Sequence, residues 1–273
     1  MIVEFTKMHG TLNDFVVIDD RRKAINVTMA VASRILDRRA GVGGDQLLII
    51  RNSPEADFEM RIYNADGSEV EMCGNGIRCA ALFAKRLGIV KHDRMTVKTL
   101  AGIKRPMIKG DTVEVDMGKP EFSGSLIPVN IKGEVMDYPL KVNRKMFTIS
   151  CVSMGNPHCV IEVDDPDSFD VAKWGPVIER NKLFPNRINV EFIRVKDRKN
   201  IRMRVWERGS GETSACGTGA CAAGVICAKK GLTEREVKVN LDGGDLDVRW
   251  SGEGPVYLTG PATFVFDGKI EIK

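Results

Sequence analysis

Short runs of apolar and β-branched residues, cut off by Gly, Asp and Asn, recur along this chain in two comparable sets. Residues 2–7, 15–19, 47–51 and 58–63 read as strands, as do 147–152, 159–163, 189–195 and 201–206. Apolar positions spaced three and four apart predict helices at 29–39 and 74–87, then at 171–180 and 217–230. Hairpin-like text pairs 96–99 with 113–117, and 237–241 with 246–250. Strand-rich text with one strong helix per half predicts an α+β fold rather than a doubly wound parallel sheet.

The two sets reflect an internal duplication. Met60-Arg61-Ile62-Tyr63-Asn64 runs on to Met72-Cys73-Gly74-Asn75-Gly76, and Met203-Arg204-Val205-Trp206-Glu207 runs on to Ala215-Cys216-Gly217-Thr218-Gly219. The offset is 143 at both ends of the match, and Glu69 aligns with Glu212. A weaker echo links Met8-His9-Gly10 and the apolar run to Asp19-Asp20 with Ser153-Met154-Gly155 and the run to Asp164-Asp165. Such a period suits two domains and is too long for a solenoid repeat. The expected junction lies near Met117-Gly118-Lys119-Pro120.

Composition narrows the function classes. The 41 basic and 37 acidic residues are interleaved, as in Asp37-Arg38-Arg39, and give a formal charge of only +4. That pattern reads as solvated faces, with no nucleic-acid motif. The first residues carry an acid at Glu4 and no apolar run of signal-peptide or membrane-spanning length. Seven cysteines, an odd number, do not suit a fully paired disulfide framework and point to reduced thiols. A cytoplasmic, soluble protein without nucleic-acid or membrane partners is expected.

Two cysteines stand apart. Cys73 and Cys216 each sit where glycine-rich text gives way to an Ala-rich helix. A helix start presents unpaired N–H groups and partial positive charge, which ease thiol ionisation and can hold a carboxylate. The α-proton of an amino acid is so weakly acidic that a thiolate base needs such help to remove it. One thiolate removing the proton and one thiol returning it from the other face would make a two-base epimerase. Cys79, Cys151, Cys159, Cys221 and Cys227 read as small apolar residues. No Cys-x-x-Cys or His-x3–5-His spacing supports a metal site, and the Gly-x-Gly text lacks the Lys-Ser/Thr of a P-loop.

At these residues the chain resembles the diaminopimelate epimerases. The resemblance rests on His9-Gly10-Thr11-Leu12-Asn13-Asp14-Phe15, Gly43-Gly44-Asp45-Gln46, Tyr63-Asn64-Ala65-Asp66-Gly67-Ser68 and Met72 through Cys79. It continues in Gly155-Asn156-Pro157-His158-Cys159-Val160, Asn189, Glu207-Arg208-Gly209 and Ala215 through Gly219. It implies two similar, pseudo-twofold-related domains, each a curved, mostly antiparallel sheet around a central helix, with the active site in the interdomain cleft. The implied domains are 1–118 plus a returning strand at 263–273, carrying Cys73, and 119–262, carrying Cys216.

The implied activity interconverts LL- and meso-diaminopimelate, in lysine and peptidoglycan precursor synthesis, with no cofactor, pyridoxal phosphate or metal. Cys73 and Cys216 would be base and acid. Gly74, Asn75, Gly217 and Thr218 would hold the reacting carboxylate, and Asn13, Gln46, Asn64, Asn156, Asn189, Glu207 and Arg208 the rest of the substrate. His158 and Glu207 would tune the thiols, and the family implies a homodimer.

Proline and hydroxyproline racemases are the enzymatic rival. They tend to carry histidine where this chain has Asn75, and a two-headed substrate suits Glu207-Arg208 better. A redox dithiol is the rival from another class; the lack of a close Cys-x-x-Cys weighs against it, although a Cys73–Cys216 disulfide in the empty enzyme is a testable expectation.

Overall fold

The computed structural model describes residues 1–272; Lys273, the last residue of the expected returning segment, lies outside the described residues. The chain divides into two compact units, Met1–Val115 with Thr259–Lys273, and Asp116–Leu258.

The first unit contains β1 (Ile2–Gly10), β2 (Asn13–Asp19), α1 (Met29–Leu36), β3 (Gln46–Arg51), β4 (Phe58–Asn64), β5 (Glu69–Val70) and α2 (Gly74–Arg86). β6 (Val97–Thr99), β7 (Gly102–Lys104), β8 (Met107–Lys109) and β9 (Thr112–Asp116) follow. Its sheet runs β1-β2-β3-β4-β6-β7, with β5 paired to β4. Only the β2–β3 and β4–β6 steps are parallel. A parallel step needs a crossover connection, and α1 and α2 are those crossovers.

The second unit repeats the plan. It contains β10 (Tyr138–Val142), β11 (Lys145–Ser153), β12 (Pro157–Glu162), α3 (Val171–Glu179), β13 (Asn189–Asp197), β14 (Asn200–Glu207) and β15 (Gly211–Thr213). α4 (Gly217–Lys229), β16 (Glu236–Leu241) and β17 (Gly244–Trp250) follow, and β18 (Val256–Pro261) begins in this unit and passes into the first at Thr259. The strand order is β10-β11-β12-β13-β14-β16-β17-β18, with β15 on β14. The β12–β13 and β14–β16 steps are parallel and are bridged by α3 and α4. The chain then returns to the first unit as β19 (Thr263–Glu271), which pairs antiparallel along β1.

Why the strands read as apolar runs rather than clean alternation follows from burial on both faces. In β11–β13, Ile149, Cys151, Cys159, Ile161, Val190 and Phe192 pack with Val171 and Ile178 of α3. Their neighbours Val152, Val160 and Ile193 pack instead with Ala220, Ala223 and Ile226 of α4. α4 is covered almost all round, as its Gly-Ala-Cys-Val-Ile composition requires. In the first unit Leu47 and Ile49 pack with Ile35 and Leu36 of α1. No helix among the described residues is long and apolar enough to cross a membrane.

Two local readings are corrected. The helix expected at 29–39 ends at Leu36, because Asp37 turns extended (φ −60°, ψ 122°). Its carboxylate there accepts the Arg39 and Ala40 N–H groups, each at 2.7 Å. Residues 96–99 do not pair with 113–117. Val97–Thr99 folds back on Gly102–Lys104, and Thr112–Asp116 on Met107–Lys109. The tight turns use Gly102 and Gly110 at φ 83° and 61°. The hairpin read at 237–241 and 246–250 is present as β16 and β17.

Candidate active site

In the first unit, Cys73 is the N-cap of α2, in extended backbone (φ −139°, ψ 119°), and its Sγ accepts the Gly76 N–H at 3.4 Å. The thiol thus takes the place that Ser, Thr or Asp usually fills. Gly74 and Asn75 follow as the first helical residues, where N–H groups lack intrahelical acceptors.

Asn13 reaches this helix start from the β1–β2 hairpin, whose two-residue turn places Thr11 and Leu12 at φ 51° and 64°. Thr11 is β-branched and buried, so this is strained backbone held by its surroundings. Asn13 Oδ1 lies 3.8 Å from Cys73 Sγ and accepts from Asn75 Nδ2 at 3.3 Å. Asn13 Nδ2 donates to Asp45 Oδ2 at 2.9 Å. Arg38 bridges Asp45 to Asp14, which also binds Lys7. Burial would push the Asp14 carboxyl up, but hydrogen bonds from Arg38 and Lys7 outweigh it and hold the group far below the usual carboxylate range.

Gln46 and Asn64 face each other across β3 and β4, with Gln46 Nε2 donating to Asn64 Oδ1 at 2.9 Å. Asn64 Nδ2 is engaged by Ser68 Oγ at 3.1 Å. Two carbonyl oxygens in this unit, Gln46 Oε1 and Asn75 Oδ1, are buried and have no hydrogen-bond partner among the described residues. Beneath the helix start lies Arg78, which is 0% exposed. It donates to Gly74 O at 3.3 Å, Pro261 O at 3.1 Å and Thr11 Oγ1 at 3.5 Å.

The second unit places Cys216 at the corresponding N-cap of α4 (φ −127°, ψ 113°), where its side chain makes no capping bond. Its Sγ is instead 3.5 Å from Thr218 Oγ1, and Thr218 accepts from Asn156 Nδ2 at 3.3 Å. Asn156 Oδ1 lies 3.0 Å from His158 Nε2, and His158 Nδ1 lies 2.7 Å from Glu191 Oε1. Sequence reasoning missed Glu191 and Arg78. The available signal for Glu191 was an acid inside the apolar run Val190-Glu191-Phe192-Ile193.

The ease of ionisation expected of a thiol at a helix start is overturned at Cys216. Burial, then the negative charges of Glu207 and Glu191, push its thiol well above the ordinary range, and the Thr218 hydroxyl only partly offsets them. Burial likewise raises the Glu191 carboxyl, despite His158.

The remaining second-unit residues form a second cluster. Asn189 commits both ends of its amide to backbone, donating to Pro157 O at 2.8 Å and accepting from Arg208 N at 2.9 Å. Glu207 accepts from Thr213 Oγ1 at 2.5 Å, and the Arg208 guanidinium donates to Asn186 O at 3.2 Å. All seven cysteines are free thiols, and Cys79, Cys151, Cys159, Cys221 and Cys227 are buried. Among the described residues, no three His, Cys, Asp or Glu side chains gather as a metal-binding cluster.

The family model described as diaminopimelate epimerase matches residues 5–123 and 150–265. A diaminopimelate epimerase of Leptospira biflexa is 44% identical over 280 residues, covering 100% of both chains. One of Halothermothrix orenii is 47% identical over 283 residues, covering 100% of this chain and 99% of its own. Among solved structures, a PhzF-family phenazine biosynthesis protein of Bacillus anthracis superposes with a TM-score of 0.71 at 18% identity, over 100% of both chains. A hydroxyproline epimerase of Agrobacterium vitis, bound to trans-4-hydroxy-L-proline, gives 0.69 at 13%, over 98% of this chain and 92% of that one. At such identities the structural likeness shows the fold alone. With the family match spanning both cysteine-capped helices and near-half identity from end to end, the chain belongs to the diaminopimelate epimerase family.

Proposed function

We propose that the protein interconverts LL- and meso-diaminopimelate by moving one α-proton between Cys73 and Cys216, without a cofactor. The observation that carries this reading is the pair of thiols at N-caps of α2 and α4, two helices in equivalent crossovers of duplicated units. At each start, N–H groups beside Gly74-Asn75 and Gly217-Thr218 suit a carboxylate and the enolate-like charge that forms on it as the α-proton leaves. One sulfur, as thiolate, takes that proton; the other, as thiol, delivers one to the opposite face, and the roles exchange with direction.

Asn13, Gln46, Asn64, Asn156, Asn189, Glu207 and Arg208 are proposed to recognise the remainder of the substrate. The free guanidinium N–H groups of Arg208 suit the distal carboxylate, and amide oxygens suit the distal ammonium. His158 and Glu207 are proposed to tune the thiols. An odd number of cysteines, which cannot all pair, is in keeping with a cytoplasmic site of action, in lysine and peptidoglycan precursor synthesis, and a homodimer is the assembly to test by light scattering.

The test is incubation with LL-diaminopimelate in deuterated water, beside proline and hydroxyproline as rival substrates. The product should carry deuterium at the α-carbon with no cofactor added, and Cys73→Ala and Cys216→Ala should each abolish epimerisation. Near-normal turnover by either variant would refute the two-thiol mechanism, and turnover of proline alone would refute the substrate.

A further inference from the structure

The Cys216 sulfur ends a row of hydrogen-bonding groups that begins at a wholly buried acid. The row runs Glu191 Oε1, His158 Nδ1 and Nε2, Asn156 Oδ1 and Nδ2, Thr218 Oγ1, Cys216 Sγ. Glu191 and His158 are both 0% exposed, and Glu191 Oε2 has no hydrogen-bond partner among the described residues. Gly219 closes the other side, since a Cβ there would stand 2.8 Å from Glu191 Oε1.

Such a row has a direction. Asn156 offers its oxygen to His158 and its NH2 to Thr218, so Nε2 is the donor on the imidazole. Thr218, already an acceptor, has its own proton left for sulfur. Were Nε2 bare, the amide would turn over and Thr218 would donate back to Asn156. The thiol proton would then point at the Thr218 oxygen. One direction suits a thiolate at Cys216 and the other a thiol. The carboxyl against Nδ1 selects between them, because a proton shared across that bond leaves Nε2 carrying its own.

We propose that Glu191, while it keeps the proton shared with His158, is a positioning residue for Cys216: through His158, Asn156 and Thr218 it aims a row of donors at the sulfur and favours its thiolate. Stripped of that proton, its charge would act the other way and raise the thiol. The proposal rests on the thiol chemistry above and adds a residue to it. When Cys216 acts as acid, its S–H bond breaks and a C–H bond forms at the substrate α-carbon. The electron pair stays on sulfur, where the Thr218 hydroxyl donates to it. Burial, which raises the Glu191 carboxyl, supports retention of the shared proton.

Iodoacetamide alkylation of Cys216 and Cys73, followed by peptide mass spectrometry without substrate, reads thiolate availability at each sulfur. E191L should slow Cys216 about tenfold, the effect of one charge-assisted hydrogen bond, and leave Cys73 unchanged. Gln can donate to Nδ1 and keep Nε2 protonated, so E191Q should stay within about threefold of the parent protein. T218V should match E191L, and the double variant should be no slower than either. An unchanged Cys216 rate in E191L, equal slowing of both cysteines, or E191Q as slow as E191L overturns the proposal. Should E191L fail to fold, the imidazole ¹⁵N spectrum of the parent protein still decides. His158, one of three histidines, should carry a proton on Nε2 at neutral pH, and a bare Nε2 overturns the proposal. Neither readout uses diaminopimelate, so failure of the substrate assay leaves this test intact.

Discussion

Replacing Gly219 by alanine puts a methyl group where Glu191 already stands. The new Cβ would lie 2.8 Å from Glu191 Oε1 and 3.3 Å from Cys216 Cβ, whereas ordinary contact begins at 3.4 Å. The carboxylate oxygen must therefore retreat by about 0.6 Å, and no solvent-facing space receives it, because Glu191 is wholly buried. That retreat strains the 2.7 Å contact with His158. Overpacking costs roughly 1–3 kcal/mol and weakening a charge-assisted hydrogen bond about as much again. Against this, alanine gains up to about 1 kcal/mol of helix propensity and roughly 0.8 kcal/mol for a buried methyl. The expected net loss is about 1–3 kcal/mol.

All three tryptophans, Trp174, Trp206 and Trp250, belong to the second unit, so urea melts followed by tryptophan fluorescence report on it alone. In a Glu191→Ala background the obstruction is gone, and Gly219→Ala should become neutral or stabilising by up to about 1 kcal/mol. An equal loss in both backgrounds would refute the reasoning, as would a Gly219→Ala protein more stable than its parent.

Two further outcomes are expected. Arg78→Met should cost the first unit roughly 3 kcal/mol, since it leaves Gly74 O, Pro261 O and Thr11 Oγ1 without this donor. Hydrogen exchange should show lost protection at the start of α2, and unchanged protection there would refute the role. The Cys227 thiol, pushed up to about 12 by burial, stays protonated in the fold while the unfolded chain ionises near pH 8.5. Its contribution is therefore fully present below about pH 8.5 and falls by up to about 1.4 kcal/mol per pH unit towards pH 12. Urea midpoints between pH 8 and 10 should fall less steeply in Cys227→Ala, and equal slopes would exclude this source.

The helices and their cysteine caps were legible because local chemistry writes them: a glycine-rich entry, an Ala-rich continuation, and the same text 143 residues later. The missed pairing of Val97–Thr99 has an equally physical origin. Val113 and Val115 are buried and looked like partners, whereas the true partner includes Ile103, which is exposed and shows no alternation. Glu191 escaped because its meaning depends on His158, 33 residues away, and on the bare backbone of Gly219, which leaves its carboxylate room where a side chain would stand. The thiol shift at Cys216 escaped for a similar reason: a helix start is local, but burial and two carboxylates are supplied by the tertiary structure.

The pairing of β19 along β1 also constrains how the polypeptide is made. A ribosome releases the whole contiguous stretch Asp116–Leu258 before the strand that flanks β1 has emerged. Until then β1 offers an unpaired edge, with Phe5 lacking its neighbour Phe266, and such edges invite pairing with other chains. The later segment can therefore mature during synthesis, while the earlier one waits for β19 to dock.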